Sequence, residues 1–501
     1  MIMRIAPLVL STFIVSNNMA QKIPDPKPFA NTISDQSLRK HLFVIASKDF
    51  EGRETATEGQ RKAATYIENH FKSIGLLPGN HGSYQMEYPV YQDSLLEANL
   101  SINEQSFKYQ EDFDLILSNY TSTLYPEEVV FAGYGITDSS GDDYQGLDVR
   151  GKVVLLLNSM PSARLQAQIN NGAFNPFGKQ NAAQAHGAVA VMIIQNDFPR
   201  KEESRIGHMY RNPYKETIRP NTYFVSEKIA QIIMGEDYAD AKKGIIRPKR
   251  YAAEIMLDFR KAAKQLSSTD VLGYMEGTDL KDQLLVISAH YDHLGKRDSV
   301  IYYGADDDGS GTVSVLEIAS AFAKAKAAGK GPRRSILFLA NSGEEKGLWG
   351  SEYYSNHPVY PMDKTTADLN IDMVGRIDPN RNYGDSTNYV YVVGDDKLSS
   401  DLKPISIATN KKYTNLELDY KFNDPHDPER IYYRSDHYNF ARKGVPIIFY
   451  FDGLHHDYHR PTDTPDKINY DILAKRDKLI FYTAWEMANR NEMLKRDIPL
   501  R

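Results

Sequence analysis

Leu284-Leu285-Val286-Ile287-Ser288-Ala289-His290-Tyr291-Asp292 is a nearly continuous apolar run that ends in a histidine and a carboxylate. A strand with no polar alternation is one covered on both faces, as in the centre of a parallel sheet. In open α/β sheets, ligands bind beyond the carboxyl ends of the strands. The same pattern recurs further along the chain. Ser335 to Ala340 is a strand candidate that leads into Asn341-Ser-Gly-Glu-Glu-Lys-Gly347, and Leu369 to Val374 contains Asp372. Val445 to Phe451 is followed by Tyr458-His-Arg-Pro-Thr-Asp-Thr464. Gly311 to Ala327 reads as a largely apolar helix, entered through Ala305-Asp-Asp-Asp-Gly-Ser-Gly311. Strands alternating with helices predict an α/β fold, with a mixed sheet between helical layers.

The polar residues at these strand ends are hard oxygen donors and imidazoles, the ligand types that two divalent metals sharing a carboxylate require. Helix capping and the helix dipole account for one aspartate ahead of Gly311. They do not account for Asp306, Asp307 and Asp308 in a row, whose mutual repulsion a cation would relieve. Glu344 and Glu345 are adjacent and point in different directions, so one can bind a metal while the other accepts a proton from water.

The chain has 501 residues, which suggests two packed units, and a formal net charge of −6 with no basic footprint for nucleic acid. It contains no cysteine, so disulfides play no part in its stability. Residues 1–20 read as a secretory signal peptide: Arg4, an apolar stretch from Ile5 to Val15, and a cut after Ala20. The expected location is the periplasm or the exterior, with no stable membrane insertion after cleavage. Ser37 to Leu77 has helical spacing. Residues 30–92 and 267–501 are read as two parts of one domain, and residues 93–266 as an inserted β-rich unit.

Together these motifs resemble the co-catalytic dizinc exopeptidases, the family of secreted bacterial leucyl aminopeptidases, glutamate carboxypeptidase and the transferrin receptor ectodomain. Ser47 to Pro78 resembles the family's N-terminal helical region, and the insert, with Val129 to Ile136 and Gly151 to Asn158, resembles a protease-associated domain. The resemblance implies an α/β/α zinc exopeptidase domain and two zinc ions, other divalent metals being compatible. It implies His290 and Asp372 as ligands of one metal, Glu345 and His459 as ligands of the other, and Asp306 as the bridge. Asp292 would orient His290 and Glu344 would be the general base. A cis peptide is expected at Asp306-Asp307. Tyr432, three residues before Ser435, would stabilise the tetrahedral intermediate, with Tyr433 as the neighbouring alternative. His293 is a candidate outer partner. His455 and His456 compete with His459 on composition, and Pro461 to Thr464 favours His459 by matching the family pattern.

The implied activity is that of an aminopeptidase acting on peptides. A glutamate-carboxypeptidase-like enzyme or dipeptidase is the alternative, followed by a glutaminyl cyclase or a non-catalytic binding protein. The chain has no GxSxG, HExxH or phosphate-cradling glycine loop.

Overall fold

The structure is a computed structural model that describes residues 23–139, 141–159, 172–201, 205–214, 218–245 and 248–500. The expected signal peptide, residues 1–20, lies outside them. The chain forms two compact units. One is built from residues up to Glu87 together with those from Ser268 onward, and the other from Tyr88–Ser267. Among the described residues no helix is long and apolar enough to cross a membrane.

The first unit is organised by one mixed sheet. The strand Leu280–His290 lies at its centre, parallel to Arg334–Asn341 on one side and to Thr365–Ile371 on the other. Ile447–Phe451 continues the parallel set beside Thr365–Ile371. Val271 to Met275 pairs antiparallel with the outer flank of Arg334–Asn341, and Tyr389–Val393 antiparallel with Ile447–Phe451. Side chains alternate between two apolar layers. Leu285, Ile287 and Ala289 join one core with Ile336, Phe338, Leu369 and Ile448, while Leu284 and Val286 join another with Leu337, Leu339, Ile447 and Phe449. Burial of both faces is why these strands lack polar alternation.

Helices Asp35–Ile45, Glu58–Ser73, Gly311–Ala327 and Tyr470–Asn489 contribute Leu38, Phe71, Phe322 and Trp485 to the first core. The sequence suggests a single helical stretch from Ser37 to Leu77, but the structure divides it. Glu51 and Gly52 take left-handed backbone angles, and the chain restarts at Thr57, whose hydroxyl accepts the Gln60 N–H.

The second unit contains a six-stranded sheet. Glu128–Phe131, Val153–Leu157, Ala190–Gln195 and Asn221–Ser226 run parallel, and Lys249–Ala252 and Phe113–Leu115 are its antiparallel edges. It is less purely β than its sequence suggests, because Pro176–Ala185 and Glu227–Met234 are helices.

Candidate metal centre

The four central parallel strands deliver their polar residues to one end of the sheet. His290 closes its strand and Asp372 follows Ile371, while Glu344 and Glu345 follow Asn341 after a turn. His459 lies in the loop that leaves Phe451. Loops leaving parallel strands on the same side of a sheet must converge, and this brings together residues up to 169 positions apart, from His290 to His459.

Asp307 is the residue the others surround. Its Oδ1 is 3.3 Å from His290 Nε2 and its Oδ2 is 3.1 Å from His459 Nε2. His290 Nε2 is also 3.7 Å from Asp372 Oδ1, and His459 Nε2 is 3.1 Å from Glu345 Oε2. His293 Nδ1 approaches Glu345 Oε1 to 2.7 Å and Asp307 Oδ2 to 3.8 Å. Glu344 reaches His290 Nε2 at 3.9 Å.

Asp306 does not join this set. Its Oδ1 accepts the Gly375 N–H at 2.8 Å and its Oδ2 lies 3.1 Å from His455 Nε2. The shared position expected of Asp306 is therefore held by Asp307, and the cis peptide lies between Asp307 and Asp308. The reason is directional. Asp463 Oδ2 accepts the backbone N–H groups of both Asp306 and Asp307, and Gly375 draws the Asp306 side chain away.

Asp308 lies within ligand distance of His290 and Asp372. Its oxygens, however, accept the N–H groups of His290, Gly311 and Met373 at 3.2, 2.8 and 3.0 Å. It is a clip that fastens the loop to two strand ends. Gly311 allows that approach, since a Cβ there would stand 2.5 Å from both Asp308 oxygens. His455 is turned to Asp306, its Nε2 lying 3.1 Å from Oδ2.

Outer contacts set the orientation of the inner ones. His290 Nδ1 is 3.1 Å from the Asp292 carbonyl and 3.6 Å from its carboxylate. Asp292 in turn accepts from Thr55 Oγ1 at 2.7 Å and from the Glu344 N–H at 3.2 Å. Ser435 donates to Asp372 Oδ2 at 2.6 Å. Arg53, fully buried, gives its guanidinium to the carbonyls of Ile45, Tyr291, Tyr303 and Gly304 and so braces the backbone around the cluster. Thr55 and Arg53 come from the N-terminal segment, and nothing in their local sequence marks them.

The electrostatics of the cluster favour cations. Burial works against protonating His459, yet Asp307 and Glu345 outweigh it and raise its pKa to about 10. His290 is likewise held well above the usual histidine range: burial opposes this, and Asp372 and Glu344 override it. Burial lifts the Glu344 carboxyl well above the ordinary carboxylate range, with His290 opposing and Glu345 and Asp372 adding to the rise. His290 Nε2, His293 Nδ1, Asp307 Oδ2 and Glu345 Oε1 are buried without a hydrogen-bond partner of good geometry. Buried polar atoms left unpaired around negative charge fit a bound metal. The groups His290–Asp308–Asp372 and His293–Asp307–Glu345 each gather ligand atoms within 4.8 Å.

Tyr432 is placed elsewhere. It lines a cavity of about 580 Å³ with Asp396, Phe422 and Arg430, and its neighbouring charges are those of Tyr438, Tyr433 and Asp396. Tyr458 is the tyrosine at the cluster. Its ring stacks on His459 with centroids 3.9 Å apart. Its hydroxyl is held firmly in the neutral form by burial and by Asp307 and Glu345, and it accepts from Arg434 at 3.1 Å. Adjacency to His459 was the available signal for it.

The chain was compared with known proteins. Residues 270–484 match Peptidase family M28. A probable leucine aminopeptidase of Arthroderma otae is 29% identical over 217 residues, 42% of this chain and 56% of that protein. Aminopeptidase Y of Saccharomyces cerevisiae is 26% identical over 335 residues, 63% of this chain and 54% of its own. The chain thus spans about half the length of the curated relatives it matches. Among solved structures, an aminopeptidase from Aneurinibacillus sp. strain AM-1 has a TM-score of 0.56 at 19% identity, covering 95% of this chain and 100% of that one. A zinc aminopeptidase from Bacillus subtilis has a TM-score of 0.52 at 19% identity, covering 93% and 99%. The matched residues 270–484 carry His290, Asp307, Glu344, Glu345, Asp372 and His459, and it is over this part that the chain is similar to Peptidase family M28.

Proposed function

We propose that this protein is a metal-dependent aminopeptidase that works with two divalent cations, zinc first among them. The observation that carries the reading is Asp307, whose two carboxylate oxygens face His290 and His459 separately. Asp307 would be the shared ligand, with His290 and Asp372 completing one site and Glu345 and His459 the other. This mixed nitrogen and oxygen donor set suits zinc. Bound there, such a pair supplies an acidified water, with its pKa brought down toward about 7, and an electrophile for the scissile carbonyl.

The side chains do the remaining work. Asp292 fixes the ring of His290 so that Nε2 faces inward. Glu344, with its basicity raised by burial, takes the proton of the attacking water and returns it to the departing amine. Tyr458, with Arg434 donating to its oxygen, keeps its own proton free for the carbonyl oxygen as negative charge develops. The names of the Arthroderma and Saccharomyces relatives support an aminopeptidase. We further read residues 88–267 as a protease-associated domain and residues 1–20 as an export signal, which places the enzyme in the periplasm or outside the cell.

The test is a panel of free, N-acetylated and C-amidated peptides given to the zinc-reconstituted protein. Free and amidated peptides should be cleaved and acetylated ones spared. Cleavage of acetylated but not amidated peptides would overturn the reading in favour of a carboxypeptidase.

A further inference from the structure

Behind Asp372 a line of buried polar side chains runs down the sheet. Ser435 Oγ is 2.6 Å from Asp372 Oδ2, and Asn370 Nδ2 is 2.9 Å from Ser435 Oγ. Ser288 Oγ lies 3.0 Å from Asn370 Oδ1 and 2.7 Å from Asp368 Oδ1. Ser288 and Asn370 are register partners on neighbouring parallel strands. Asp368, Asn370 and Asp372 are spaced two residues apart and so share one face. None of Asp368, Asn370, Ser288 and Ser435 is more than 1% exposed.

The direction of every bond follows from Asp372 outward. A carboxylate ligand accepts only, so the Ser435 hydroxyl must donate to it. Ser435 then has no proton left for Asn370, which must present its NH₂ to Ser435 and its oxygen to Ser288. Ser288 spends its single proton on that oxygen. A second acceptor 2.7 Å from the same hydroxyl would be repelled, so the group at Asp368 has to be a donor.

We propose that Asp368 is a positioning residue, a neutral carboxylic acid that heads a donor chain through Ser288, Asn370 and Ser435 and fixes the metal-facing orientation of Asp372. This rests on the two-metal reading for its purpose but not for its geometry. Two further observations agree with it. Complete burial pushes the Asp368 carboxyl up to about 8, with Ser288 opposing and Asp436 adding to the rise. Its Oδ2 has no partner, which a neutral carbonyl oxygen tolerates far better than an ionised one. Deprotonating Asp368 would leave Ser288 with two acceptors and one proton, and the chain would have no consistent direction.

Two measurements test this. Infrared difference spectra of the metal-free protein at neutral pH, unsubstituted minus Asp368→Asn, should contain the carbonyl band of a protonated carboxylic acid. Its absence would mean that Asp368 is ionised and would overturn the proposal. Zinc titration should show the affinity lowered roughly 10- to 100-fold in Ser288→Ala, the usual cost of losing an outer partner of a ligand. Asp368→Asn keeps a donor toward Ser288 and should lose much less than Asp368→Ala. Unchanged affinity in Ser288→Ala, or equal losses in the two Asp368 variants, would also overturn it. An unsubstituted protein that binds no zinc would sink the two-metal reading, and the infrared result would still decide the protonation of Asp368.

Discussion

The carboxylate of Asp463 accepts the backbone N–H of Asp307 at 3.2 Å, across 156 positions of sequence. Asp463 lies four residues after His459, so the loop that supplies the second histidine also anchors the shared aspartate. One contact thereby ties two halves of the site together. Asp463 holds the Asp306 N–H as well, and it is the Gly375 N–H, by drawing the Asp306 side chain away, that leaves Asp307 to face inward.

That selection separates Asp307 from Asp306. Asp307→Asn should lose most of its bound zinc by elemental analysis, because both sites would lose a ligand. Asp306→Asn should keep nearly two zinc ions per chain, since its carboxylate serves Gly375 and His455. The reverse result would restore Asp306 as the bridge.

Glu344 belongs to neither group of convergent ligand atoms, His290–Asp308–Asp372 and His293–Asp307–Glu345, and burial raises its basicity. Glu344→Gln should therefore retain its metal and lose about 10²- to 10⁴-fold in kcat, the scale of general acid–base catalysis. Loss of metal in step with activity would reassign it as a ligand.

The two tyrosines make opposite predictions. Tyr458→Phe should lower kcat by roughly 10²- to 10³-fold with KM little changed, as expected when a donor to a developing oxyanion is removed. Tyr432→Phe should leave kcat within a few-fold, because Tyr432 lines the cavity with Asp396, Phe422 and Arg430, whose lining includes none of the carboxylate cluster. Steady-state kinetics on a single free peptide distinguishes them.

His70 sets an acid limit on stability. It packs against His41 at a ring distance of 4.7 Å and lies 3.0 Å from Ser320 Oγ. Burial, with His41 adding to the effect, lowers its pKa from 6.5 to about 4. Below about pH 6.5 the unfolded chain takes up a proton that the folded chain refuses. The unfolded state then binds more protons, and stability falls as pH drops from about 6.5 to about 4 and levels off below that. The full loss is on the order of 3 kcal/mol. Denaturant unfolding at about pH 7 and about pH 4.5 should show a smaller difference in His70→Gln than in the unsubstituted protein. Equal differences would remove His70 from the acid limb.

Much of the architecture was open to reading because burial leaves a mark in composition. Leu284 to Ala289, Ser335 to Ala340 and Leu369 to Ile371 lie between two apolar layers, so their unalternating runs signalled a parallel sheet and the polar residues at their ends signalled a site. The N-terminal helical stretch was harder to read, because its break depends on left-handed residues, Glu51, Gly52, Arg53 and Ala56, inside an otherwise helical pattern.

The sequence by itself determined which residue types gather and in what order: two histidines, an adjacent glutamate pair, Asp372 and an aspartate triplet, each at the end of an apolar run. Only the tertiary structure decided which aspartate of three faces the centre, and that Tyr458, a tyrosine outside the expected pair Tyr432 and Tyr433, stacks on His459 there. Neighbouring residues in a loop share their identity and their local chemistry. Their directions are set by distant partners, such as Asp463 and Gly375 for the triplet and Arg434 for Tyr458, and those contacts form only once the strands have brought the loops together.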